Sequence, residues 1–173
     1  FIDKNIYINK FLDIESLPYE EIIMDNDIIS SRIQAYSNIL NYNQNITIAS
    51  YSSIIKRISP DIKKNNFFNE VNYDYTYNNL IHIISELNYE RTEKVLNKGE
   101  YAIRGPIIDV FSMVEDEPIR VTFDDKKIET IKMFNIHTQK TKLLLNKFIL
   151  SYYSEIIIDD DVIKNYKVKS KKL

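Results

Sequence analysis

The chain has no cysteine and no tryptophan, and only two glycines and four prolines among its 173 residues. Without cysteine there is no disulfide, no thiolate nucleophile and no cysteine metal site. A phosphate-binding loop needs a run of glycines whose amides face the phosphates, followed by Lys and Ser or Thr. Gly99 and Gly105 have no Lys-Ser/Thr at the required distance, so that loop is absent. No apolar run approaches the roughly 18 residues of a membrane span, and no leader pattern opens the chain. Cytoplasm is the expected compartment, and a membrane is not an expected partner.

The net charge of −2 argues against a strongly basic nucleic-acid-binding surface, while leaving room for a local basic patch. His82 and His137 lack partners at metal-ligand spacing and read as surface or partly packed side chains. Asp159-Asp160-Asp161 reads as a hydrated acidic loop, because a calcium loop needs spaced oxygens and a glycine bend. The tyrosines are scattered without an interleaved arginine cluster, which assigns them to packing rather than to base stacking. No catalytic constellation emerges, and no cofactor is expected in this segment.

What is present is ordinary for a globular protein: 44% apolar and 28% charged residues, enough for one domain or two small ones. The chain opens abruptly on Phe1, as though cut from a longer protein. Ile6 to Phe11 reads as a short strand, followed by a turn-like Glu15–Tyr19 stretch. Asp27 to Leu40 has apolar residues near helical spacing, with Asp27 as the expected N-cap. Ile46 to Ser50 reads as a buried strand and Tyr51 to Ile58 as a short helix closed by Pro60. This alternation predicts a parallel α/β layer, too small to stand alone.

Composition shifts at Lys63–Asn66, the expected boundary. Thr76 is placed to cap a helix running to about Leu87, with Leu80, Ile83, Ile84 and Leu87 on one face. Strands follow at 100–104, 107–112, 119–123 and 128–134, joined by Gly-Pro, Asp and Lys turns. Short connections predict antiparallel neighbours, with the helix covering one face. Both glycines fall in this region, each marking a backbone position that a side chain would block.

The run Gly99-Glu100-Tyr101-Ala102-Ile103-Arg104-Gly105 continues into Ile107-Ile108-Asp109-Val110-Phe111, and later into Glu117–Phe123 and Phe134–Thr141. With Asp13–Glu20, Asp27–Ile33 and Leu87–Val95, these motifs resemble, in order, the bacterial transcription-repair coupling factors. The similar part is their N-terminal module, which is related to the excision-repair helicase UvrB. The resemblance implies a partial, RecA-like parallel α/β layer over 1–65 and a small α+β interaction domain over 66–152. It makes 153–173 a connector to the next subdomain. UvrB itself is the alternative. Against it stand the short link between Tyr19 and Asp27, where UvrB has a long hairpin, and the Thr138-Gln139-Lys140-Thr141 ending.

In that family the whole protein is an ATP-driven DNA translocase that displaces stalled RNA polymerase and recruits UvrA. The resemblance therefore implies ATP and Mg in motor domains elsewhere. DNA and RNA polymerase would be partners through those domains, and a C-terminal domain would mask the UvrA surface. The implied UvrA contacts are Arg104 and Arg120, joined by Phe123 and by position 124. There the family carries a second aromatic and this chain carries Asp124. That departure predicts weak or lost UvrA binding, and leaves a decayed structural scaffold as a further reading.

Overall fold

A computed structural model describes residues 6–14, 25–55 and 67–155. The Glu15–Tyr19 turn, Pro60, the Lys63–Asn66 boundary and the Asp159–Asp161 run lie outside the described residues. Strands outnumber helices, in a mixed α/β arrangement.

The N-terminal part is one strand-helix-strand unit. Strand β1 (Tyr7–Phe11) leads to helix α1 (Asn26–Asn41), which crosses over to β2 (Asn45–Ala49). The two strands run parallel, in register from Tyr7 with Asn45 to Phe11 with Ala49. The cap of α1 is Asp25, not the expected Asp27: an Asp25 carboxylate oxygen accepts the Asp27 N–H at 2.9 Å. A cap must sit outside the helix to reach an amide in its first turn, and Asp27 is already inside, where its charge favours the positive end of the helix dipole.

Helix α1 buries Ile29, Ile33 and Tyr36, and on its side of the strand pair Phe11 and Asn9 are buried. The opposite face is bare. There Ile8 pairs with Ile46 and Lys10 with Ile48, and the three isoleucines are 50–61% exposed. The expectation of a buried strand at 46–50 is thus overturned, because no second layer covers that face among the described residues. A short helix α2 (Tyr51–Ile55) follows.

The larger part begins with β3 (Phe68–Asn72), which the sequence reading lacked, and α3 (Tyr77–Glu86). Thr76 caps α3 as expected, its hydroxyl accepting the Asn79 N–H at 3.3 Å. Six strands then form one sheet in chain order: β4 (Glu90–Arg91), β5 (Glu100–Arg104), β6 (Ile107–Val110), β7 (Ile119–Asp124), β8 (Lys127–Phe134) and β9 (Thr141–Leu145). All neighbours are antiparallel except β4 and β5. The last strand, β10 (Lys147–Ser151), leaves this sheet and pairs antiparallel with β3.

One face of the sheet carries Ile103, Ile108, Val121 and Ile131 in a single cross-strand row. It shares one core with Leu80 and Ile84 of α3 and with Val71, Phe148 and Leu150 of the strand pair. Tyr77 fixes the helix to the sheet: its ring meets Phe123 edge-on at 5.1 Å, and its hydroxyl donates to the Gly105 carbonyl at 3.2 Å.

Both glycines have positive φ, +84° at Gly99 and +58° at Gly105. At Gly99 an added Cβ would also strike the Tyr153 ring, whereas at Gly105 it would meet open space. Only Gly99 is therefore blocked sterically; Gly105 is required by the tight turn between β5 and β6 alone.

Helix α1 is bolted to this larger part. Ser30 donates to the Met113 carbonyl at 2.7 Å, Lys98 donates to Ser30 at 2.8 Å, and Tyr153 donates to Asn26 at 2.6 Å. Beyond β10, Glu155 ion-pairs with Arg32, whose Nε and Nη2 reach its two carboxylate oxygens, and accepts from the Tyr36 hydroxyl at 3.3 Å. Arg32 also donates to the Leu12 carbonyl at 2.7 Å and lies over the Phe11 ring at 3.9 Å. Burial opposes the Arg32 charge, but the hydrogen bond and charge of Glu155 more than offset it and hold the proton more tightly than usual.

Candidate functional site: the outer face of the sheet

Side chains on a strand alternate between faces, so a row of paired residues shares a side. Ala102, Asp109, Arg120 and Lys132 form one such row across β5 to β8. Arg104, Ile107, Thr122 and Thr130 form the next. Both rows lie opposite the core face, and together they bring Arg104 and Arg120 to one surface.

Asp109 holds the two arginines together. Its side chain is only 2% exposed. Arg120 grips it bidentately, Nε to one carboxylate oxygen at 2.6 Å and Nη2 to the other at 2.8 Å. Arg104 ion-pairs with that second oxygen from the other side. A buried carboxylate is costly unless paired and hydrogen-bonded, and here charged donors reach both of its oxygens.

The arginines differ in freedom. Arg120 also donates to Gln139 at 2.9 Å, lies over the Phe134 ring at 4.4 Å and is 21% exposed. The Asp109 hydrogen bonds raise its affinity for its proton further, against the smaller effect of burial. Arg104 is 49% exposed and has the single partner Asp109 among its hydrogen bonds here.

Gln139 is set by its turn. It has φ +59°, its amide N–H donates to the Asn135 carbonyl at 2.8 Å, and its side chain donates to the Ile136 carbonyl at 2.8 Å. The Thr138-Gln139-Lys140-Thr141 ending thus has a structural task, which is to close the Arg120 clamp.

Phe123 does not join this surface. It is 3% exposed and pairs with Ile128 on the core side, so the expectation of a partner-facing ring is corrected: strand alternation turns it inward beneath Tyr77. Asp124, one residue on, returns to the outer side and is exposed at the end of β7, opposite Lys127. Asp125, with φ +52°, makes the hairpin turn.

Two contributors escaped the sequence reading as site residues, Asp109 and Gln139. For Asp109 the signal was there: a carboxylate flanked by Ile108 and Val110 in a short apolar strand must be buried or mark an outer face. Gln139 stood out only as part of the Thr138–Thr141 ending, and its role depends on Arg120 reaching it from another strand. Among the described residues there is no group of His, Cys, Asp or Glu that could hold a metal ion. Among them also, no helix is long and apolar enough to cross a membrane.

The profile of the family described as "UvrB interaction domain" matches residues 69–153, which begin inside β3 and end just past β10. The sheet, its α3 cover and the arginine-bearing face therefore make up a UvrB-type interaction domain. Proteins called "Transcription-repair-coupling factor" are similar over nearly the whole chain. That of Borreliella burgdorferi is 33% identical over 90% of the chain, and that of Haemophilus influenzae 29% identical over 92%. In Staphylococcus aureus the corresponding protein is 26% identical over 94%. Nearly the whole chain is thus similar to one region of the transcription-repair-coupling factors. It spans 14–15% of the length of these relatives.

Proposed function

We propose that the outer face of the six-stranded sheet is a docking surface for UvrA, and that the chain is the recruitment module of a transcription-repair coupling factor. The observation that carries this reading is the convergence of Arg104 and Arg120 on buried Asp109, on the solvent side of a UvrB-type interaction domain. Arginine suits the task because its planar fork makes paired, charge-assisted bonds to carboxylates on a partner. No catalysis belongs to this segment in the proposal. ATP, Mg, DNA and RNA polymerase would act on other domains of the parent, and a C-terminal domain of the parent would cover the docking face at rest. The similarity to coupling factors along almost all of the chain favours this parent over UvrB.

Asp124 sets the strength of docking in this proposal. It lies on the outer side at the exposed end of β7, where the resemblance puts an aromatic anchor. Replacing such an anchor by a carboxylate costs about 2 kcal/mol, or roughly thirtyfold in affinity. The test is titration of UvrA with the whole chain and with its Asp124→Phe variant. The variant is expected to bind roughly thirtyfold more tightly than the natural sequence. Equal affinities would remove Asp124 from the account. No binding by either would overturn the docking reading and leave the scaffold.

A further inference from the structure

We propose that Asp109 is a positioning residue for docking: its buried carboxylate fixes the guanidinium of Arg104 so that the free edge of that guanidinium meets a carboxylate of the partner. This rests on reading the outer face as a docking surface. Asp109 lies in the middle of β6, flanked by β5 and β7, and cannot itself reach a partner because it is 2% exposed. Its two oxygens are shared unequally. Arg120 takes one oxygen through Nε and the other through Nη2, and is then held by Gln139 and by the Phe134 ring. With those bonds in place Arg120 and Asp109 form one rigid ion pair, and Arg104 leans on it through Nη2 alone.

The two arginines therefore have different work. Arg120 holds Asp109, Asp109 holds Arg104, and Arg104 presents its remaining N–H groups to solvent from a half-exposed side chain. Arginine has many rotamers, and fixing one of them before the encounter lowers the entropy lost on binding. The three ionised groups sum to a single positive charge, so the face draws an acidic partner mildly and holds it by geometry. This predicts a kinetic signature. Asp109→Asn removes a negative charge from the face, which does not slow association with an acidic partner. It also frees Arg104 to rotate, which speeds dissociation.

The experiment measures association and dissociation of the full chain on immobilised UvrA for the natural sequence, Asp109→Asn, Arg104→Ala and the double variant. Asp109→Asn is expected to raise the dissociation rate about tenfold with association unchanged or faster. In the Arg104→Ala background the same change is expected to add nothing. Slower dissociation would make Asp109 a competitor of the partner, and additive losses would make it a general support of the sheet; either overturns the proposal. Loss of folded protein would lower the apparent association rate and spare dissociation, so it is distinguishable. Side-chain relaxation of the Arg104 and Arg120 guanidinium groups in the free chain supplies a readout independent of UvrA. Greater mobility of Arg104 in Asp109→Asn is expected, and unchanged mobility overturns the proposal even if no UvrA binds. Absence of UvrA binding by both the natural sequence and Asp124→Phe would instead defeat the docking reading.

Discussion

The parallel pair β1–β2 and the six-stranded sheet solve the same problem differently. Each presents one apolar face to a helix, α1 in the first case and α3 in the second. The larger sheet has a second face whose rows carry Asp109, Arg120, Thr122 and Thr130, so it tolerates water on that side. The second face of β1–β2 carries Ile8, Ile46 and Ile48, at 50–61% exposure. Antiparallel sheets commonly keep one solvated face, whereas parallel strands are normally covered on both. The small layer is thus held in place by what α1 grips elsewhere, chiefly Met113, Lys98, Tyr153 and Glu155.

The strongest way to break this comparison is to cut that grip. Arg32→Ala leaves Glu155 buried without its cation, and removal of one partner from a buried pair costs about 3–5 kcal/mol. Hydrogen exchange should show protection lost first from α1 and β1, with the amides of β5 to β8 still protected. Uniform loss would mean that the two parts unfold as one. A milder test trims one methyl group from each region. Ile108→Val, in the core row, should lower stability to urea by about 1 kcal/mol. Ile48→Val, on the bare face, should lie within about 0.5 kcal/mol of the unchanged chain.

The smallest effect concerns Glu115, which joins the two strand systems by accepting the Ile149 N–H at 3.0 Å. Burial raises its pKa above the ordinary carboxylate value, so the folded state disfavours its charged form. That penalty is full above the raised pKa and fades as pH falls through it towards the unfolded value of 4.5. Glu115→Gln keeps the acceptor and removes the charge. Its melting temperature should exceed that of the natural sequence by roughly 1–3 °C at neutral pH. The two curves should converge on acidification, and a constant offset would discard the burial account.

How far the sequence could be read follows the range of the interactions. Helix α3, its Thr76 cap and the four central strands are encoded by neighbours in the chain: an apolar stripe at helical spacing, alternation, and turns of Gly-Pro or Asp-Asp-Lys-Lys. The pairing of β3 with β10 was not legible, because Val71 meets Phe148 only after the whole sheet has intervened. Strand β9 lacks alternation, having leucine at 143, 144 and 145, since it is an edge with both sides half open. The arginines were named from motifs, but their inequality was not. It depends on Asp109, Gln139 and Phe134 arriving from three places. Phe123 was misjudged for the complementary reason: a motif says which residues recur, and only the strand register says which way they point.

The antiparallel rungs of β3 and β10 have a mechanical consequence. Phe68 faces Ser151 at one end of the pair, and the whole six-stranded sheet is strung between Asn72 and Lys147 at the other. Chain enters and leaves at the same end of this neck. Once the bonds of Tyr153 and Glu155 to α1 have given way, a pull on the flanking chain peels its rungs one after another, like a zipper, instead of shearing them all at once. The sheet beyond lies behind this neck, so its own rungs are loaded only after those of β3 and β10 have parted.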